Sequence, residues 1–108
     1  VRTGAFACAA CAAFVCVPAV LLAAGVTVVT QRGRAFDASQ IEIRAGDTVR
    51  FSNRDAFGHQ VYVEDAAFTF RSDEQAPGSD LDVRFPVRGV FGVLCEIHPK
   101  MHLRVAVR

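Results

Sequence analysis

Four side chains in the second half of this 108-residue sequence have the chemistry to hold a soft metal ion. Three of them lie in one short run, Cys95-Glu96-Ile97-His98-Pro99-Lys100-Met101, which offers a thiolate, an imidazole and a thioether. The fourth, His59, arrives 36 residues earlier and adds a second imidazole. Two imidazoles, a thiolate and a weakly held thioether suit a copper ion that passes a single electron. The sulfur ligands favour Cu(I), and the imidazoles accept both oxidation states. Met101 is the only methionine in the chain, so its place three residues after His98 carries information. The C-x-x-H-x-x-M loop is a weak signal alone. It becomes a strong one with an upstream histidine at a strand end.

The elements that must position these groups are strands. Val26–Gln31 is short and β-branched. Ile41 and Ile43 alternate with polar residues, Ala45-Gly46-Asp47 makes a turn, and Val49 and Phe51 alternate again. His59, Val61 and Val63 are expected on one face of the next strand. Residues 65–80 read as irregular, with a short strand at Phe68/Phe70 and a Pro77-Gly78 turn. Leu81, Val83 and Phe85 alternate, as do Phe91, Val93 and Cys95, and then Leu103, Val105 and Val107. No helix is expected. Seven or eight short strands joined by turns predict an all-β fold, an antiparallel sandwich or barrel. Residues two apart in a strand point the same way, so His59 and Cys95 should both aim inward from strand ends.

The front of the chain has another character. Of the first 25 positions 20 are apolar, and only Arg2 is charged. An apolar run from Ala5 to Ala24 ending in Ala23, Ala24 and Gly25 predicts a signal peptide over residues 1–25, with a retained membrane anchor as the alternative. The mature domain would then be residues 26–108, periplasmic or secreted. Cys8, Cys11 and Cys16 would leave with the signal, so that Cys95 has no disulfide partner. The remaining acids and bases balance to zero, which gives no basic face for nucleic acid.

Over residues 26–108 the chain resembles a small cupredoxin of the plastocyanin–amicyanin type. The resemblance is carried by Gly46-Asp47-Thr48-Val49-Arg50-Phe51-Ser52-Asn53-Arg54-Asp55 leading to His59-Gln60-Val61, by the Pro77-Gly78 turn, and by Gly89-Val90-Phe91 leading into the Cys95–Met101 loop. The short gap between His98 and Met101, with Pro99 between them, is similar to amicyanin. The resemblance implies a Greek-key β-sandwich with one copper ion at one end, bound by His59, Cys95, His98 and Met101. It implies a monomeric electron carrier between a donor and an acceptor redox protein, and no enzyme. It also implies an apolar docking patch around His98, for which Phe57, Pro99 and Ala56 are candidates. Two departures stand out: Gln60 replaces the asparagine that many members carry after the first histidine, and Pro99 cannot donate a backbone N–H to the thiolate.

The same residues allow two other readings. Cys95, His98, His102 and His59 form a possible zinc set. Strand parity opposes it, because Met101 and His102 should face opposite ways. A copper-delivery protein outside the cytoplasm is the other. Delivery proteins often use exposed, Met-rich ligands, whereas this chain has one cysteine and one methionine.

Overall fold

A computed structural model describes residues 23–108. The expected signal segment lies outside the described residues except for Ala23, Ala24 and Gly25. The elements are β1 (Val26–Gln31), β2 (Gln40–Ile43), β3 (Thr48–Asn53), β4 (Val61–Glu64), β5 (Thr69–Arg71), β6 (Asp80–Arg84), β7 (Gly89–Cys95) and β8 (His102–Val107). They form two sheets, one of three strands in the order β1-β3-β6 and one of five in the order β2-β8-β7-β4-β5. The result is the all-β Greek-key sandwich expected, with no helix among the described residues.

The alternating pattern explains why these segments bury one face. Val49, Phe51 and Val83 from the small sheet meet Val61, Val63, Phe91, Val93, Leu103 and Val105 from the large one. Phe85, just past β6, completes an aromatic cluster with Phe68 and Phe91, at ring-centre distances of 5.2 Å and 6.2 Å. Each fully buried phenylalanine contributes roughly 1.5–3 kcal/mol through apolar burial.

The pairing is mixed rather than purely antiparallel. β1 runs parallel to β3, and β2 runs parallel to β8. β1 and β3 are joined through β2, which crosses to the other sheet. That crossing brings β3 back in the same direction as β1. A second difference concerns His59, which precedes β4 and forms an isolated bridge with Gln75. Its ring is nevertheless fully buried, as the parity argument requires.

Candidate metal centre

Three backbone segments meet at one end of the sandwich. β7 ends on Cys95, which lies opposite Val61 at the start of β4. His59 therefore sits two residues upstream of the strand beside Cys95. The loop 96–101 then reverses the chain into β8, closed by Met101 N–H donating to His98 O at 3.0 Å.

The position of His59 is built by Asn53 and Gln75. Asn53, the buried last residue of β3, donates from Nδ2 to Phe57 O at 2.9 Å and Gln75 O at 3.1 Å. Its Oδ1 accepts Asp55 N–H at 2.9 Å. The residues 54–58 are thus wound around a single buried amide. His59 and Gln75 exchange backbone hydrogen bonds in both directions, N–H to O at 3.1 Å and 2.6 Å.

The two ligand arms are joined by backbone. Gln60 N–H donates to Cys95 Sγ at 3.4 Å, and Glu96 N–H donates to Gln60 O at 2.9 Å. The Gln60 side chain turns aside and donates from Nε2 to Ser72 O at 2.8 Å. Replacement of the usual asparagine therefore leaves a main-chain tie in place.

His59 Nδ1 stands 3.7 Å from Cys95 Sγ and 3.3 Å from His98 Nδ1, while Cys95 Sγ is 4.0 Å from His98 Nδ1. The other ring nitrogen of His59 meets Asp55 Oδ2 at 2.7 Å. Burial pushes the Asp55 carboxyl up, but the hydrogen bonds from His59, Gly33 N–H and Arg34 N–H outweigh it and hold the group below its usual value. An ionised carboxylate only accepts, so Nε2 of His59 carries a proton and the Nδ1 lone pair faces the sulfur. Burial is the largest cause that lowers the pKa of His98, the Arg34 charge acts in the same direction, and both favour its neutral form.

The two His59 distances fit one ion, and the 4.0 Å between Cys95 Sγ and His98 Nδ1 is slightly longer than the ideal. Donor nitrogens about 2.0 Å from a metal, at angles between tetrahedral and trigonal, stand about 3.3–3.5 Å apart, and a sulfur at about 2.3 Å stands about 3.5–3.7 Å from each. A cation placed between three such donors satisfies a lone pair on each of them at once. The His-Cys-His set is the one group of metal-competent residues found among the described residues. The donor set of two imidazoles and a thiolate suits copper.

Met101 is 2% exposed and belongs to the buried core. His102, the residue needed for the zinc alternative, is exposed on β8, with its Nε2 beside Gly92. Met101 and His102 thus part to opposite sides, as parity predicts. Cys95 is free and 1% exposed.

Of the residues expected around His98, Phe57 and Pro99 lie beside it, whereas Ala56 is exposed and does not line the depression there. Phe57 lies 5.2 Å from the His98 ring, and a depression of 310 Å³ is lined by Arg34, Ile97, His98, Pro99 and Lys100. Ile97, which the sequence reading did not include, is 40% exposed. Its signal was an isoleucine placed between Cys95 and His98 in a loop with no strand to bury it.

Comparisons with known proteins agree with this geometry. Plastocyanin from Scenedesmus fuscus is 28% identical over 72 residues, which cover 58% of this chain and 74% of that protein. The solved structure of amicyanin from Paracoccus versutus superposes with a TM-score of 0.71 at 23% identity, covering 77% of this chain and 81% of that one. A purple cupredoxin from Nitrosopumilus maritimus gives a TM-score of 0.68 at 21% identity, covering 76% of this chain and 99% of that one. A family model described as copper binding proteins, plastocyanin/azurin family, matches residues 23–108. With that match over most of its length, and with a site suited to one copper ion, the chain belongs to the plastocyanin/azurin family of copper-binding proteins and is a small cupredoxin.

Proposed function

We propose that this protein is a blue copper carrier that passes one electron at a time between two redox proteins outside the cytoplasm. His59, Cys95 and His98 are the strong ligands in this reading, and Met101 is the weak axial one. The observation behind it is the convergence of His59 Nδ1, His98 Nδ1 and Cys95 Sγ within 3.3–4.0 Å at one end of a rigid sandwich. Copper bound there supplies a one-electron couple whose two oxidation states share one set of donors.

The chain's own residues supply the rest. Burial of His59 and Cys95 keeps water and competing thiols from the site, which favours retention over delivery to another protein. The backbone tie through Gln60 limits how far the two arms can separate when the charge changes. His98 is the partly exposed donor, and its edge emerges among Phe57, Ile97 and Pro99, so it is the proposed route for the electron. Export through a cleaved N-terminal segment belongs to the same proposal.

The decisive experiment is optical. Copper(II) added to the purified domain should give an intense visible band from thiolate-to-metal charge transfer, and Cys95→Ser should abolish it while the domain stays folded. A colourless wild-type complex, or a serine variant that keeps the band, refutes the reading.

A further inference from the structure

Asp55 has no place in the ligand set, yet the fold spends three hydrogen bonds on its carboxylate. Two come from consecutive backbone amides in the connection between β1 and β2: Gly33 N–H to Oδ1 at 2.6 Å and Arg34 N–H to Oδ2 at 3.2 Å. Both residues are in the left-handed region, Gly33 at φ 65° and Arg34 at φ 56°. Glycine adopts this freely, but arginine does so against its steric preference. The two are the centre of a tight turn closed by Arg32 N–H donating to Ala35 O at 3.0 Å, and in that turn their successive N–H groups face one carboxylate as a concave anion cradle, called a nest. The third hydrogen bond is that from His59 Nε2 at 2.7 Å. The carboxylate side chain is only 7% exposed, so its charge is weakly screened by water.

We propose that the Gly33–Arg34 nest and Asp55 form an outer anchor of the copper site, which fixes the tautomer and ring angle of His59 and lowers the reduction potential. The proposal rests on the copper reading above. A carboxylate that accepts the second N–H of a ligating imidazole makes that imidazole a stronger donor. The oxidised site carries one more positive charge than the reduced one. A buried anion one imidazole away therefore favours the oxidised state. The nest makes the arrangement durable, because its amides hold the carboxylate in place from a connection 22 residues distant in sequence. Arg34 strengthens the anchor from its other end: its guanidinium lies 4.9 Å from the centre of the Phe57 ring, which in turn packs edge-on against His59 at 5.6 Å. Asp55 is thus a positioning residue that acts through His59.

Asp55→Asn tests the idea, because it removes the charge while keeping the shape. In the copper-loaded protein, voltammetry should show the potential rising by the equivalent of roughly a tenfold change in the electron-exchange equilibrium, about 59 mV for one electron, with the blue band retained. An unchanged potential overturns the proposal. If the variant fails to fold, the wild type decides by NMR in its diamagnetic Cu(I) form. The His59 Nε2–H should then give a downfield signal protected from solvent exchange, together with a downfield Gly33 amide. A His59 ring proton that exchanges as fast as that of exposed His102 overturns it equally. A wild type without the blue band refutes the underlying copper reading instead, so the two failures are separable.

Discussion

The amide of Gln60 points at the sulfur of Cys95, 3.4 Å away, and its carbonyl accepts the amide of Glu96 at 2.9 Å. The two arms of the metal centre are therefore joined by main chain, whatever side chain stands at position 60. The hydrogen bond also fixes the direction of one sulfur lone pair. The same role cannot be filled from position 99, where proline has no N–H.

It follows that Gln60→Ala should leave the blue band and the reduction potential close to wild type. What it removes is the hydrogen bond from Gln60 Nε2 to Ser72 O, 2.8 Å long, between the His59 arm and the segment after β5. The loss should appear as about 1 kcal/mol of stability in chemical denaturation. A large change in potential would mean that the side chain, not the backbone, holds the arms together.

Met101 tests the axial assignment. It is buried at the end of the loop 96–101, and leucine nearly conserves its volume, so Met101→Leu should fold with a loss below about 1.5 kcal/mol. Leucine removes a donor and makes the surroundings of the ion more apolar, which disfavours the more highly charged oxidised state, so the potential should rise while the colour stays. Loss of metal binding in this variant would show that the thioether is a strong ligand.

Much of this was legible in the sequence because β-strands write their burial in a period of two. Phe91, Val93 and Cys95 announce one inward face, and Leu103, Val105 and Val107 announce the next, so the thiol's direction follows from its neighbours. The direction of pairing was not legible. Val29 or Ile43 would be buried by a parallel or an antiparallel partner alike, and the crossing of β2 between sheets leaves no trace in alternation. The role of Asp55 was hidden for another reason. It depends on the left-handed conformation of Arg34, which local residue preferences do not foretell, and on contact across 22 residues. The turn before β4 was likewise unreadable, since it is wound around Asn53, a buried amide whose partners are backbone carbonyls.

Acid should act on the fold at Asp47. Its carboxylate accepts Arg44 N–H at 2.9 Å and, in a chain that keeps Gly25, Gly25 N–H at 2.8 Å, and of these the Arg44 bond is the larger cause that holds its pKa below the ordinary 3.8. A carboxyl depressed by folding contributes stability that is fully present above its unfolded value. That contribution is lost as pH falls through the folded value. Denaturation curves for Asp47→Asn should therefore lie below wild type at neutral pH and converge on it in strong acid. Curves that stay parallel down to pH 2 would show that the carboxylate charge contributes nothing at this turn.

The last expectation tests the proposed route of the electron. His98 is the partly exposed donor of the cluster, and the surface around it combines Ile97 and Pro99 with two cations, Arg34 and Lys100. Exchange of an electron between a reduced and an oxidised copy requires two such faces to meet. Apolar contact favours the meeting, while the paired cations oppose it, so one more positive charge should tip the balance. Ile97→Lys should slow self-exchange by roughly tenfold or more at low salt, with partial recovery as salt screens the repulsion. Neither the blue band nor the potential should move much, because the side chain points away from the core. Val28→Lys is the control: Val28 is 55% exposed on β1 and absent from the depression around His98, and it takes the same added charge. If both variants slow exchange equally, net charge alone governs the encounter and the His98 face has no special part. If only Ile97→Lys slows it, the electron passes through the edge of His98.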